Sequence, residues 1–175
     1  MILDGYLQFD PVGTTVAIAA GTQASTNNID LHMLGIPVLT NGQGARDMGI
    51  GDDPALKLVV QVSTAFASAG STGTISASFQ GAPDNGSGAP GTWTTYITGP
   101  ALVVPAAGAR LLNIDWPRPP AGTVYPRFVR LLYTVAVQTM TAGALGAWAV
   151  LDRDDQPQLT ATATGGYPAG ITVSN

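Results

Sequence analysis

The sequence predicts an all-β domain of short antiparallel strands, and three observations carry that expectation. Helix formers are scarce: the 11 acidic residues are all Asp, there is no Glu, and the bases are six Arg and one Lys. Gly and Pro supply 35 of 175 residues, about a fifth of the chain against a usual level near 12%. Apolar residues alternate with polar ones at period two, in runs separated by clusters of Gly, Pro, Asn and Asp. Glu and Lys populate helix surfaces, whereas Gly, Pro, Thr and Asp belong to turns, caps and strands. Alternation broken by turn residues marks strands of an antiparallel sheet.

Residues 15–20 open the pattern, with Val16 and Ile18 alternating against small residues, and residues 27–31 place Ile29 and Leu31 on one side of a short second strand. The clearest strand is 55–66. Leu56, Leu58, Val60 and Val62 share one face there, and Lys57, Gln61 and Ser63 the other, so only one face can be core. Residues 73–80 set Ile75, Ala77 and Phe79 against Thr74, Ser76, Ser78 and Gln80, a row of small hydroxyls suited to close cross-strand packing. Residues 81–91 are turn chemistry throughout. Strands at 93–98 and 109–116 are bounded by Gly99-Pro100 and by Pro117, Pro119 and Pro120, which have no N–H to give to a ladder. Residues 128–137 and 144–151 complete a set of about eight strands, with 102–104 a short addition. Two stretches leave this rhythm. Residues 32–44 (HMLGIPVLTNGQG) form a long connection, a loop or an added hairpin. Residues 156–175 carry no charge and, extended, would reach roughly 65 Å.

The chain is long enough for one domain with a full core. A net charge of −4 disfavours a nucleic-acid or anionic-membrane partner, since either calls for a dense basic stripe. The first ten residues carry two Asp and no base, unlike a signal peptide, and no apolar run approaches the length of a membrane span. An unexported soluble protein is expected. The absence of Cys excludes disulfides, thiol chemistry and cysteine zinc sites.

Enzyme signatures are missing. His32 is the only His, which leaves no Ser-His-Asp triad and no multi-His metal centre. Residues 42–47 (GQGARD) begin like a dinucleotide fingerprint, but Asp47 stands where its last Gly belongs and no βαβ pattern surrounds it. Asp52-Asp53 and Asp152-Arg153-Asp154-Asp155 could in principle serve as acid and base or hold Ca²⁺. They lack the spacing of a calcium loop and are read as solvated acids flanking strands. Asn85-Gly86-Ser87 fits a glycosylation acceptor, but Asn-Gly is also the commonest tight-turn dipeptide, and the turn is the reading taken. No catalytic, cofactor-binding or metal-ligating residues are assigned, and the chain is expected not to be an enzyme.

The candidate contact residues are basic or apolar. Arg110, Arg118, Arg127 and Arg130 lie within 21 positions, with Asp115 the only acid among them. They are either arginines on a solvated sheet face or an interface patch, because Arg is enriched in protein contacts where Lys is depleted. In the uncharged end, residues 159–164 alternate Thr with apolar residues, and Ile171-Thr172-Val173 could pair at a sheet edge. Leu159, Ile171 and Val173 are thus candidates for an arm added to a neighbour, the other reading being a free, disordered terminus.

Six segments in order resemble the capsid cement proteins of tailed phages such as the Bordetella podovirus. They are residues 1–4 (MILD) with Leu7 and Phe9, 25–31 (STNNIDL), 45–51 (ARDMGIG), 58–66 (LVVQVSTAF), 128–136 (FVRLLYTVA) and 141–152 (TAGALGAWAVLD). No single segment is diagnostic; the weight comes from their common order over residues 1–152. The resemblance implies a jelly-roll β-sandwich over residues 1–152, with the 32–44 loop and a C-terminal extension at 153–175 as additions to the family pattern. It further implies a homo-oligomer, a homodimer with a trimer as alternative, made in the bacterial host cytoplasm. On the virion it would bind the outer surface of the icosahedral capsid and hold neighbouring major capsid proteins together. A carbohydrate-binding jelly roll is the rival reading, with Trp93, Trp116 or Trp148 stacking on sugar rings. Trp116, taken as exposed beside Pro117, is its best candidate, while Trp148 is expected to pack in the last core strand. A glycosidase is the third.

Overall fold

A computed structural model describes residues 7–15, 19–31, 56–117, 121–122 and 126–151, and every element in them is a strand. In chain order these are β1 (Gln8–Thr15), β2 (Gly21–Ala24), β3 (Ile29–Asp30), β4 (Leu56–Ser68), β5 (Thr74–Ala82), β6 (Thr94–Thr98), β7 (Leu102–Val103), β8 (Arg110–Asp115), β9 (Phe128–Ala136) and β10 (Met140–Leu151). One sheet runs β1-β10-β4-β8. The other runs β2-β9-β5-β6, with β3 also on β9 and β7 also on β5. All pairings are antiparallel. Because β5 occupies one flank of β9 along its whole length, β2 and β3 share the other flank as one broken strand. The same reasoning joins β6 and β7 beside β5. Ten segments therefore fill eight positions, four in each sheet, and the sheet orders are those of a jelly roll built from two Greek keys.

Alternation decides which side of each strand is core. Leu58, Val60 and Val62 of β4, Ile75, Ala77 and Phe79 of β5, and Val129, Leu131, Tyr133 and Val135 of β9 point into one cluster between the sheets. Phe9, Phe79 and Trp116 form its aromatic centre: Trp116 stacks on Phe9 at 6.3 Å and meets Phe79 edge-on at 5.0 Å. Trp116 is 9% exposed, so the expectation that it stands out beside Pro117 is corrected. Its backbone N–H donates to the Leu56 carbonyl, which extends the β4–β8 pairing one residue further and carries the indole inside before Pro117 ends it. Trp148 packs, as expected, but on the face of the first sheet turned away from this core. There Val59, Trp148 and Val150 make a second buried cluster, and the Trp148 Nε1–H has no hydrogen-bond partner among the described residues.

One strand lies earlier than expected. In place of a strand at 15–20, the structure has β1 ending at Thr15 and β2 starting at Gly21, with residues 16–18 outside the described ones. Pro11 and Gly13 break the alternation that would have marked β1. An edge strand tolerates both, and the register shifts between Gln8 and Asp10 and between Asp10 and Thr14 absorb them. At the far end of the clearest turn, Gly81 and Ala82 belong to β5 rather than to the loop. The 32–44 connection and the 153–175 extension lie outside the described residues.

A polar contact ties the two sheets. Asp10 of β1 is buried; its Oδ1 accepts from the Thr26 N–H at 2.8 Å and the Thr26 hydroxyl at 2.7 Å, and its Oδ2 accepts from the Tyr133 hydroxyl of β9 at 2.5 Å. Burial pushes the Tyr133 hydroxyl well above its ordinary pKa, and the charge and hydrogen bond of Asp10 add to that shift.

Candidate interface on the second sheet

With Val129, Leu131, Tyr133 and Val135 committed to the core, the residues between them lie on the outer face of the second sheet. Register then sets their neighbours: Gln80 stands opposite Arg130, Ser78 opposite Leu132 and Ser76 opposite Thr134. From the flanking strands, Thr22 stands opposite Thr134 and Thr98 opposite Ser78. The result is a face of hydroxyls and small side chains. The Ser78 and Thr98 hydroxyls share a hydrogen bond of 2.9 Å. Hydroxyl pairs of this kind across neighbouring strands add to the stability of the sheet.

Arg130 interrupts that surface. Its Nε donates to Gln80 Oε1 at 2.9 Å, and Gln80 Nε2 donates in turn to the Thr95 hydroxyl at 2.9 Å. The guanidinium lies over the Trp93 ring, 4.1 Å from the centroid, a geometry in which the π face attracts the cation. Burial lowers the Arg130 pKa from its ordinary value. Among the described residues no carboxylate pairs with it, and its terminal N–H groups have no acceptor.

Arg127, three residues earlier, is used differently. It holds Asp30 of β3 through its Nε and Nη2, each at 3.0 Å, reaches Asp84 with Nη1, and stacks on Phe128 at 4.9 Å. Its pKa is raised, chiefly by the hydrogen bond to Asp30. At Asp84, partial desolvation works against ionisation, but hydrogen bonds from the Gly86 and Gly88 N–H groups and from Arg127 outweigh it and hold the carboxyl below its ordinary range. The Asn85-Gly86-Ser87 segment is a turn, as read from the sequence: Asn85 Oδ1 accepts from the Ser87 N–H at 2.8 Å, and Gly86 has a φ of 89°. Arg127 is thus a clamp that fixes the start of β9 to β3 and to this loop.

The arginine run read from the sequence is divided by the fold. Arg130 lies on β9 of the second sheet and Arg127 immediately precedes that strand. Arg110 is exposed on β8 of the first sheet, opposite Gln61. Arg118, Leu159, Ile171 and Val173 lie outside the described residues. Gln80 and Thr95 were not among the sequence candidates, and Trp93 was named only as a sugar-stacking residue of the rival carbohydrate reading. The alternation at 73–80 does put Gln80 with the hydroxyls, but its meeting with Arg130 depends on strand register. Among the described residues, no helix is long and apolar enough to cross a membrane and no group of three His, Cys, Asp or Glu is placed to hold a metal ion.

A model of the Bbp16 family matches residues 12–149. The chain belongs to the Bbp16 family. Bbp16 is a family of Bordetella phage proteins, and membership is compatible with a structural protein of the virion. The match runs from within β1 almost to the end of β10 and takes in Gln80, Trp93, Arg127 and Arg130, so the outer face of the second sheet lies wholly inside the Bbp16 region. No curated protein matches the chain.

Proposed function

We propose that this chain is a capsid cement protein, bound to the outer surface of an icosahedral phage shell, where it holds neighbouring major capsid proteins together as a homo-oligomer. The observation that carries the reading is the outer face of the second sheet, backed by the jelly-roll core, where Arg130 stacks on Trp93 and has no carboxylate partner among the described residues. The Arg130–Trp93 pair has the composition of protein contacts, in which aromatic residues and Arg are enriched and Lys, Asp and Glu depleted. Membership in a phage family supplies the setting. A cement protein performs no chemistry; it gains hold by many modest contacts, each later one formed at high effective concentration. Binding the assembled shell and not its free subunits stabilises the shell by linkage. The carbohydrate reading draws no support from Trp116, which lies in the core.

Sedimentation of the purified chain with and without expanded shells that lack it tests the proposal. The expected result is saturable cosedimentation, with shells that then withstand heating better than bare ones. Shells that never carry the chain down would overturn it.

A further inference from the structure

We infer that Arg130, stacked on Trp93 and pinned by Gln80, is the anchor at which this chain takes up an acidic side chain of its protein partner. The inference rests on the cement reading, which makes that partner the shell. Three features of the site converge on a carboxylate.

First, the guanidinium is orientated before any partner arrives. Its Nε is held by Gln80, itself buried at 7% exposure and held by Thr95, while Trp93 covers one face. What is left facing outward is the pair of terminal nitrogens, and a planar fork of two N–H donors matches the two oxygens of a carboxylate. Second, the cation is half-buried and has no carboxylate partner among the described residues. Asp30 and Asp84, the acids nearest in register and sequence, are engaged by Arg127. A partly desolvated charge without a counter-ion gains more from an incoming anion than a fully solvated one does. Third, the stoichiometry of charge selects the ligand. A phosphate or a nucleic-acid backbone calls for several bases together, whereas Arg130 is the only base among the described strand residues of this sheet. One cation among neutral side chains fits one Asp or Glu presented by a protein.

The test uses the full chain and expanded shells, with binding isotherms from cosedimentation at low and at physiological salt. Arg130→Gln is expected to weaken shell binding by roughly tenfold or more and to flatten its salt dependence, because one charge-assisted, two-point contact is lost. Arg130→Lys retains the charge without the fork and is expected to recover only part of the loss. It also gives a second measurement should Arg130→Gln fold poorly, folding being checked by circular dichroism and thermal unfolding. Arg110→Gln, on the other sheet, is expected to bind within about twofold of the unaltered chain. A folded Arg130→Gln that binds as tightly as the unaltered chain overturns the inference and leaves the cement reading standing. An equal loss in Arg110→Gln also overturns it, since that would be general charge attraction. Failure of the unaltered chain to bind shells removes the cement reading itself, and this inference with it.

Discussion

Tyr133 and Asp10 come from opposite sheets and meet through a 2.5 Å hydrogen bond inside the core. Removing either partner should therefore be felt by the whole sandwich. Tyr133→Phe keeps the ring and deletes one bond, with an expected cost of about 1–2 kcal/mol; Asp10→Ala removes the acceptor of the buried Tyr133 hydroxyl and of the two Thr26 donors nearer the surface, and should cost about 2–3 kcal/mol in urea unfolding. The pH dependence has a definite sign. Tyr133 has its folded pKa raised above the unfolded value, so its protonated form contributes stability that is fully present below about pH 10 and is lost as pH climbs toward the raised value. Urea midpoints measured from pH 8 to 11 should fall, and the fall should be shallower in Tyr133→Phe; equal slopes would show that this hydroxyl is not the cause. At this scale the sequence disclosed little. Asp10 lies in the opening segment and gives no sign of burial, and the arginine run looks like one patch. Whether an arginine is satisfied depends on neighbours many positions away, and that separates Arg127, closed on Asp30 and Asp84, from Arg130, left open.

Strands announce themselves by alternation, so those that alternate cleanly were readable and those that bend were not. β4, β5, β9 and β10 fall within a few residues of their expected spans because in each of them alternate side chains enter the core between the sheets. β1 escaped notice because an edge strand with a proline and a shifting register buries few residues in a regular order. β10 shows how such an irregularity is accommodated where it matters. Its register against β4 shifts at Ala142 and again at Ala144, and Gly143 between them has a φ of 139°, a conformation that side-chain-bearing residues rarely adopt. A β-carbon at Gly143 would run into the Phe66 ring of β4. Backbone strain and overpacking act together there, so Gly143→Ala should destabilise the domain by about 2–3 kcal/mol. Thermal unfolding of the single variant, and of the pair with Phe66→Leu, separates the two causes. The double variant should regain the packing share only. A Gly143→Ala protein as stable as the parent would mean that the bulge can move.

Sheet order belongs to the molecule and to no element within it. Periodicity yields strands and their inner faces, but it cannot say that Gln8 of β1 lies beside Trp148 of β10; the jelly roll was implied only by resemblance to a family. Those distant pairings also govern how the chain folds. Each sheet interleaves early and late strands, with β10 between β1 and β4 and β9 between β2 and β5. Few stabilising contacts can then form before long loops have closed, and refolding is expected on the millisecond-to-second scale of β-sandwiches rather than in microseconds. The core cluster draws on both sheets at once, and Asp10 joins them again, so neither sheet should melt alone. Fluorescence from Trp116, which sits between the sheets, and the far-ultraviolet dichroism of the strands should trace one coincident unfolding transition. Two separated transitions would show sheets of independent stability, and a body that yields in parts would not hold the proposed Arg130 anchor steady. Cooperativity is what lets a contact on one face be supported by the whole sandwich behind it.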